Sequence, residues 1–148
     1  MKIKIRTKVQ GDYREVLSRF DRSLFEALTP PGASVKLLQF DGSHKNDRVH
    51  IQMKLLGFIK QDWISVISEE GETDEKAWFI DEGVKLPFFL KRWKHQHIVE
   101  NHGTNSVIVD DIRFQSPLFF LDPLLWPVLY LQFRYRKPIY GRIFGLPQ

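Results

Sequence analysis

The chain has 148 residues, 22 of them basic and 18 acidic, for a formal charge of +4; 43% are hydrophobic, 14% aromatic and none is cysteine. That length suits one ordinary domain, read here as residues 1–148, and the apolar share excludes an intrinsically disordered or collagen-like chain. Without thiols there is no disulfide framework, zinc-thiolate site, iron–sulfur cluster or cysteine nucleophile, a usage that fits a reducing compartment.

The N-terminal MKIKIRTKVQ alternates basic and apolar residues instead of separating a charged segment from a greasy one, so it is not a signal peptide, and a cytoplasmic address is expected. Ile3, Ile5, Thr7 and Val9 share one face and Lys2, Lys4, Arg6 and Lys8 the other, the period of a strand with one wet side. Gly11 and Asp12 break the pattern. Residues 13–20 and 23–28 then read as two short helices or one bent one, with Asp12 or Asp21 as N-caps, and TPPG at 29–32 ends them because prolines lack the amide hydrogen a helix uses.

Strand-like segments follow at 34–40 and 48–55, the second with Val49, Ile51, Met53 and Leu55 on one face. Residues 61–68 and 75–82 flank the polar EEGETD, expected as a turn, and 95–100 and 106–114 flank NHGTN. In the tail, Leu124, Val128, Leu131 and Tyr135 recur at helical spacing, which predicts a long helix over about 122–144. Pro123 fits its first turn, Pro127 is placed to bend it and Pro138 to kink or end it. The same prolines, with Asp122, interrupt the most apolar stretch, so no stable membrane insertion is expected.

This order predicts an α+β fold: a curved antiparallel sheet of seven strands wrapped around a long C-terminal helix, with two short helices after strand one. The segments FEALTPPG (25–32), LLQFDG (37–42), DEGVKLPFFLKRWKHQHIV (81–99), VIVDDIRFQSP (107–117) and LQFRYRKPIY (131–140) resemble the START and Bet v 1-like superfamily, often called SRPBCC. Within it the resemblance is to a bacterial ligand-binding branch related to polyketide cyclase-like proteins. It implies a helix-grip fold and hydrophobic-ligand binding, and leaves catalysis open.

Trp93, His95, His97 and Val99 are spaced by two, which puts them on one side of one strand. Two imidazoles there suit a metal pair or an acid–base pair. A metal needs a third donor, with Asp110, Asp111 or His102 as candidates; the simpler reading is a histidine pair hydrogen-bonded to carboxylates of neighbouring strands, and no metal is assigned. Asp81, Glu82, Asp110 and Asp111 interrupt apolar strands, and an inward carboxylate needs a partner. If Asp110 shares a face with Ile108, Ile112 and Phe114, that partner is a histidine or arginine across the sheet.

Of twelve Phe, four Trp and four Tyr many belong to the core and others are candidates to line a pocket; a surface group of Phe88, Phe89, Phe119, Phe120 and Leu121 would instead suggest a pocket lid, a lipid contact or the face of a homodimer. The basic stripe of strand one reads as a solvated face rather than a nucleic-acid site. Phosphate-loop, dinucleotide, HExxH, GxSxG, zinc-finger and calcium-loop patterns are absent from the sequence, so no cofactor is assigned. The expectation is a cavity for a small hydrophobic or amphipathic molecule, with contacts from Phe79, Trp93, His95, His97, Asp110, Trp126 and Tyr130. The alternatives are a cyclase- or dehydrase-like enzyme using a His-Asp pair, and an interaction module with an aromatic surface.

Overall fold

Alternation at the N-terminus produces a one-sided strand. In β1 (Lys2–Gln10) Ile3, Ile5, Thr7 and Val9 are buried and the four cations between them are exposed. The structure is a computed structural model that describes residues 1–32 and 34–147. Helix α1 (Tyr13–Ser18) is capped by Asp12, whose carboxylate accepts from the amides of Arg14 and Glu15, and α2 (Arg22–Ala27) by Asp21, which accepts from Leu24. Both expected caps are therefore used.

Six further strands follow among the described residues: β2 (Val35–Phe40), β3 (Arg48–Leu55), β4 (Ile59–Glu72), β5 (Lys76–Lys85), β6 (Arg92–His102) and β7 (Asn105–Gln115). They form one antiparallel sheet in the order β1-β7-β6-β5-β4-β3-β2, so the first strand closes against the last and α1 and α2 carry the chain between the two edges. Most of EEGETD is strand, not turn. A register shift between Ile67 and Glu69 lets β4 continue to Glu72, and the turn shrinks to 73–75. The Trp78 ring lies across Gly71, where an added Cβ would sit 2.6 Å from Trp78 Cζ2; glycine is what permits that close approach.

The terminal helix comes as two segments, α3 (Asp122–Arg134) and α4 (Arg136–Phe144), meeting at Tyr135. Pro138 has no amide to offer the carbonyl of Arg134 and its ring crowds it, which accounts for the break. The start is pinned by Asp122, whose carboxylate accepts from the Ser116 amide at 2.7 Å. Leu129 and Phe133 form the buried stripe of α3. The residues at helical spacing do lie on a helix, but Leu124, Val128 and Leu131 are exposed and only Tyr135 of that stripe packs against the core. Among the described residues no helix is long and apolar enough to cross a membrane.

Two hydrophobic clusters make the core. One gathers Val9, Tyr13, Phe20, Val99, Ile108, Ile139 and Tyr140 among others under α1 and α4; the other gathers Ile3, Ile5, Trp93, Ile112, Phe114, Leu129 and Phe133 under α3. Along each element the residue between the clusters is polar. On β1 it is Thr7, on β6 His95 and His97, on β7 Asp110 and on the terminal helix Arg136. A polar belt thus crosses the sheet between two apolar masses.

Candidate functional site

A cavity of about 820 Å³ lies between the sheet and the helices, lined by α2, by β3 through Val49, Ile51 and Met53, by β4 through Trp63, Ser65 and Ile67, and by α3 through Leu129 and Phe133. Its mouth is marked by lining residues that reach solvent: Leu56 in the β3–β4 turn is 84% exposed, and Val128 and Leu131 on α3 are 63% and 64% exposed. Val128 and Leu131 of the apolar stripe are therefore on the rim of the cavity rather than in the core. Walls of this kind with a few convergent polar groups are the usual form of a small-molecule site.

The polar groups come from the belt. His95 and His97 share the inner face of β6, their ring centroids 3.6 Å apart. His97 Nε2 is 2.9 Å from Asp81 Oδ2, and His95 Nε2 is 2.9 Å from Asp110 Oδ1. The ladder explains both pairings: Asp81 stands opposite His95 on β5 and Asp110 opposite His97 on β7, so each carboxylate meets the diagonal histidine. The Trp93 indole donates to Asp81 Oδ1 at 3.2 Å, and Arg136 Nη1 lies 3.7 Å from Asp110 Oδ1. Phe79 stacks on His97 at 4.3 Å and 17°, and Arg136 sits over the Phe133 ring at 4.2 Å.

Burial pushes the His97 imidazole down to about 4, with the neighbouring His95 acting in the same sense and Asp81 only partly opposing, so His97 is neutral at pH 7. Its Nε2–H then donates to the Asp81 carboxylate. Burial alone raises the Asp81 carboxyl, but the hydrogen bond from His97, the proximity of His95 and the Trp93 indole hold it below the ordinary range. Asp110 follows the same logic, burial being outweighed by its hydrogen bond with His95 and by Arg136. Burial, and next the Asp110 charge, raise the Tyr140 phenol, which stays protonated. Asp110 Oδ2, Thr7 Oγ1, Arg136 Nε, Tyr140 OH and His97 Nδ1 are buried with no hydrogen-bond partner among the described residues.

Of the candidate contacts read from the sequence, Phe79, Trp93, His95 and His97 line the cavity. Asp110 lies behind them, 1% exposed, and reaches the cavity through His95. Trp126 and Tyr130 do not join the wall. They stack on each other at 4.9 Å and 8°, and the Trp126 indole donates to the Lys2 carbonyl at 2.9 Å, fastening α3 to β1. Phe89 lines the cavity, whereas Phe88, Phe119 and Phe120 are exposed. The expected partners of Asp110, a histidine and an arginine, are both present, while the third donor beside the histidines is Asp81 rather than Asp110, Asp111 or His102. Sequence reading missed Arg136 and Tyr140; the i, i+3 spacing of Arg136 from Phe133 and the i, i+4 spacing of Tyr140 from Arg136 were the available signal for a shared face. The basic stripe of β1 is taken up in part by ion pairs from Lys2 to Asp111 and Arg6 to Glu100.

No family model matches this chain, and no curated protein matches it. Solved structures do. A protein from Arthrobacter aurescens aligns with a TM-score of 0.71 at 12% identity over 99% of this chain and 87% of that one. Norcoclaurine synthase from Thalictrum flavum, a point mutant solved with a transition-state analogue, aligns at 0.63 and 12% identity over 96% of this chain and 94% of its own. Major latex-like protein 151 from Panax ginseng aligns at 0.54 and 16% over 91% and 97%. At these identities the likeness shows the fold, the helix-grip arrangement of a curved antiparallel sheet around a terminal helix that the sequence resemblance implied.

Proposed function

We propose that the protein binds a small hydrophobic or amphipathic molecule in the cavity between sheet and terminal helix. The observation that carries this is the cavity itself: about 820 Å³, mostly apolar walls, and one polar patch formed by Asp81, His95, His97 and Arg136. Apolar area removed from water supplies affinity at about 25 cal/mol per Å² before ordering costs, and the patch orients one polar end of the ligand.

Trp63 and Trp93 meet edge to face at 4.7 Å in the wall, so a ligand that enters changes intrinsic fluorescence. The test titrates the protein, with chelator present, with an environment-sensitive apolar dye, against a Val49→Trp variant whose new ring occupies the cavity. Saturable one-to-one binding that the variant loses by tenfold or more is expected. Equal binding by both proteins puts the dye on the surface and ends the proposal.

A second reading is favoured by the two His-Asp pairs at 2.9 Å: acid–base catalysis on a bound ligand, with neutral His97 as base and the His95-Asp110 pair as proton holder. Once a substrate is in hand, His97→Gln lowers kcat far more than it raises KM if this reading holds, and shifts KM alone if the belt only binds.

A further inference from the structure

Three donor atoms converge where β5 and β6 meet the cavity. Asp81 Oδ2 is 2.9 Å from His97 Nε2 and 3.7 Å from His95 Nδ1, and the three lie within 4.8 Å of one another. Donors held tetrahedrally at about 2.0–2.2 Å from one ion are roughly 3.3–3.6 Å apart, and the two measured separations fall on either side of that spacing. The His95 ring turns its other nitrogen onto Asp110 at 2.9 Å, the way an outer carboxylate fixes the tautomer and direction of a metal-ligating imidazole. His97 is held instead by its stack on Phe79.

Charge points the same way. Two carboxylates, Asp81 and Asp110, face one fixed cation, Arg136, which lies nearer Asp110. A divalent cation bound by the neutral imidazoles takes the place of ring protons beside the two carboxylates, whereas an anionic head group adds to the negative charge there. Coordination through His97 Nε2 moves its proton to Nδ1 and replaces the hydrogen bond to Asp81 with a shared bond to the ion.

We propose that Asp81, His95 and His97 form a binding site for a divalent transition-metal ion of the zinc type, with Asp110 as positioning residue behind His95 and open coordination toward the cavity. A two-imidazole, one-carboxylate set without thiolate suits zinc, nickel or iron(II) over magnesium or calcium. The site is built from these side chains alone and stands whether or not an apolar ligand occupies the cavity; an oxygen donor on such a ligand would meet the ion at the open position.

The test uses the full chain, stripped with chelator and dialysed, titrated with zinc chloride by calorimetry and with cobalt chloride by visible absorption. One equivalent is expected, with cobalt bands of a nitrogen- and oxygen-ligated ion. Asp81→Asn and His97→Gln lose that equivalent, Asp110→Asn weakens it about 10- to 100-fold, and His44→Gln, altering an exposed imidazole paired with Glu70, leaves it unchanged. No stoichiometric uptake by the unaltered protein overturns the proposal. So does uptake that Asp81→Asn and His97→Gln leave intact, which assigns the ion to surface histidines. If those variants do not fold, X-ray absorption of the zinc-loaded unaltered protein decides: two imidazole nitrogens and one carboxylate oxygen at about 2.0–2.2 Å support the site, and a shell with one imidazole or none overturns it. Because the dye titration of the cavity is run with chelator, failure here and failure there are separate results.

Discussion

Strands β7 and β3 have comparably apolar inner faces and opposite fates. From Ser106 to Ile112 every residue of β7 is buried, whereas Val49 to Met53 of β3 are all half-buried. The difference lies in what stands across from them. β7 is flanked by β1 and β6 and covered by α1 and the terminal helix; β3 is flanked by an edge strand and faces the cavity. An alternating pattern declares which face is apolar, and the opposing element decides whether that face is packed or hollow.

The sharpest way to break the packed half is through its belt. Asp110→Ala leaves Arg136 without its buried counter-charge and the His95 imidazole without its hydrogen-bond partner, and should cost about 3–5 kcal/mol of unfolding free energy in a denaturant titration. A loss under about 1 kcal/mol would mean the belt behaves as a solvated pair. Next in size is a pH effect. His97 takes its proton near 6.5 in the unfolded chain but only near about 4 when folded. Between those values the unfolded state binds more protons, so stability declines as pH is lowered through the window, by on the order of 3 kcal/mol. Asp81 and Asp110, both held below 3.8, add a further loss only as pH falls below that value toward their folded pKa values. His97→Gln should flatten the upper window and leave the Asp110 part of the lower one; an unchanged slope in the upper window would reject the assignment.

The smallest effect tests the two halves directly. Ile112→Val removes a methylene from a fully buried site and should cost about 0.5–1.5 kcal/mol. Ile51→Val trims a side chain that already borders the hollow and should stay within about 0.5 kcal/mol. Equal costs would mean the two faces are packed alike.

The sequence was most legible where local rules suffice: the faces of β1, the caps Asp12 and Asp21, and the common side of Trp93, His95 and His97. It was least legible where register or rotation decides. Asp81 stood out as an inward candidate, yet its pairing with His97 depends on the β5–β6 register, which no period-two pattern supplies. The stripe Leu124, Val128, Leu131 is truly helical in spacing, but a helix apolar on several faces does not reveal which one meets the sheet, and Leu129 and Phe133 took that place. Trp126 and Tyr130 were drawn from the same ambiguous helix and stack outside the wall for the same reason.

The diagonal pairing of His95 with Asp110 and His97 with Asp81 also fixes the register of β6 between its neighbours. A slip of β6 by one position would turn Lys94 and Gln96 inward and send both imidazoles out, burying an ammonium next to two carboxylates in the wrong geometry and emptying the space Trp93 and Val99 fill. A uniformly hydrophobic strand tolerates sliding; strands keyed by charge at alternate positions, as β6 and β7 are through His95 and Asp110, do not. The belt thus specifies one register of the ladder, and weakening it should show up as heterogeneous refolding, read by the number of phases in a refolding trace.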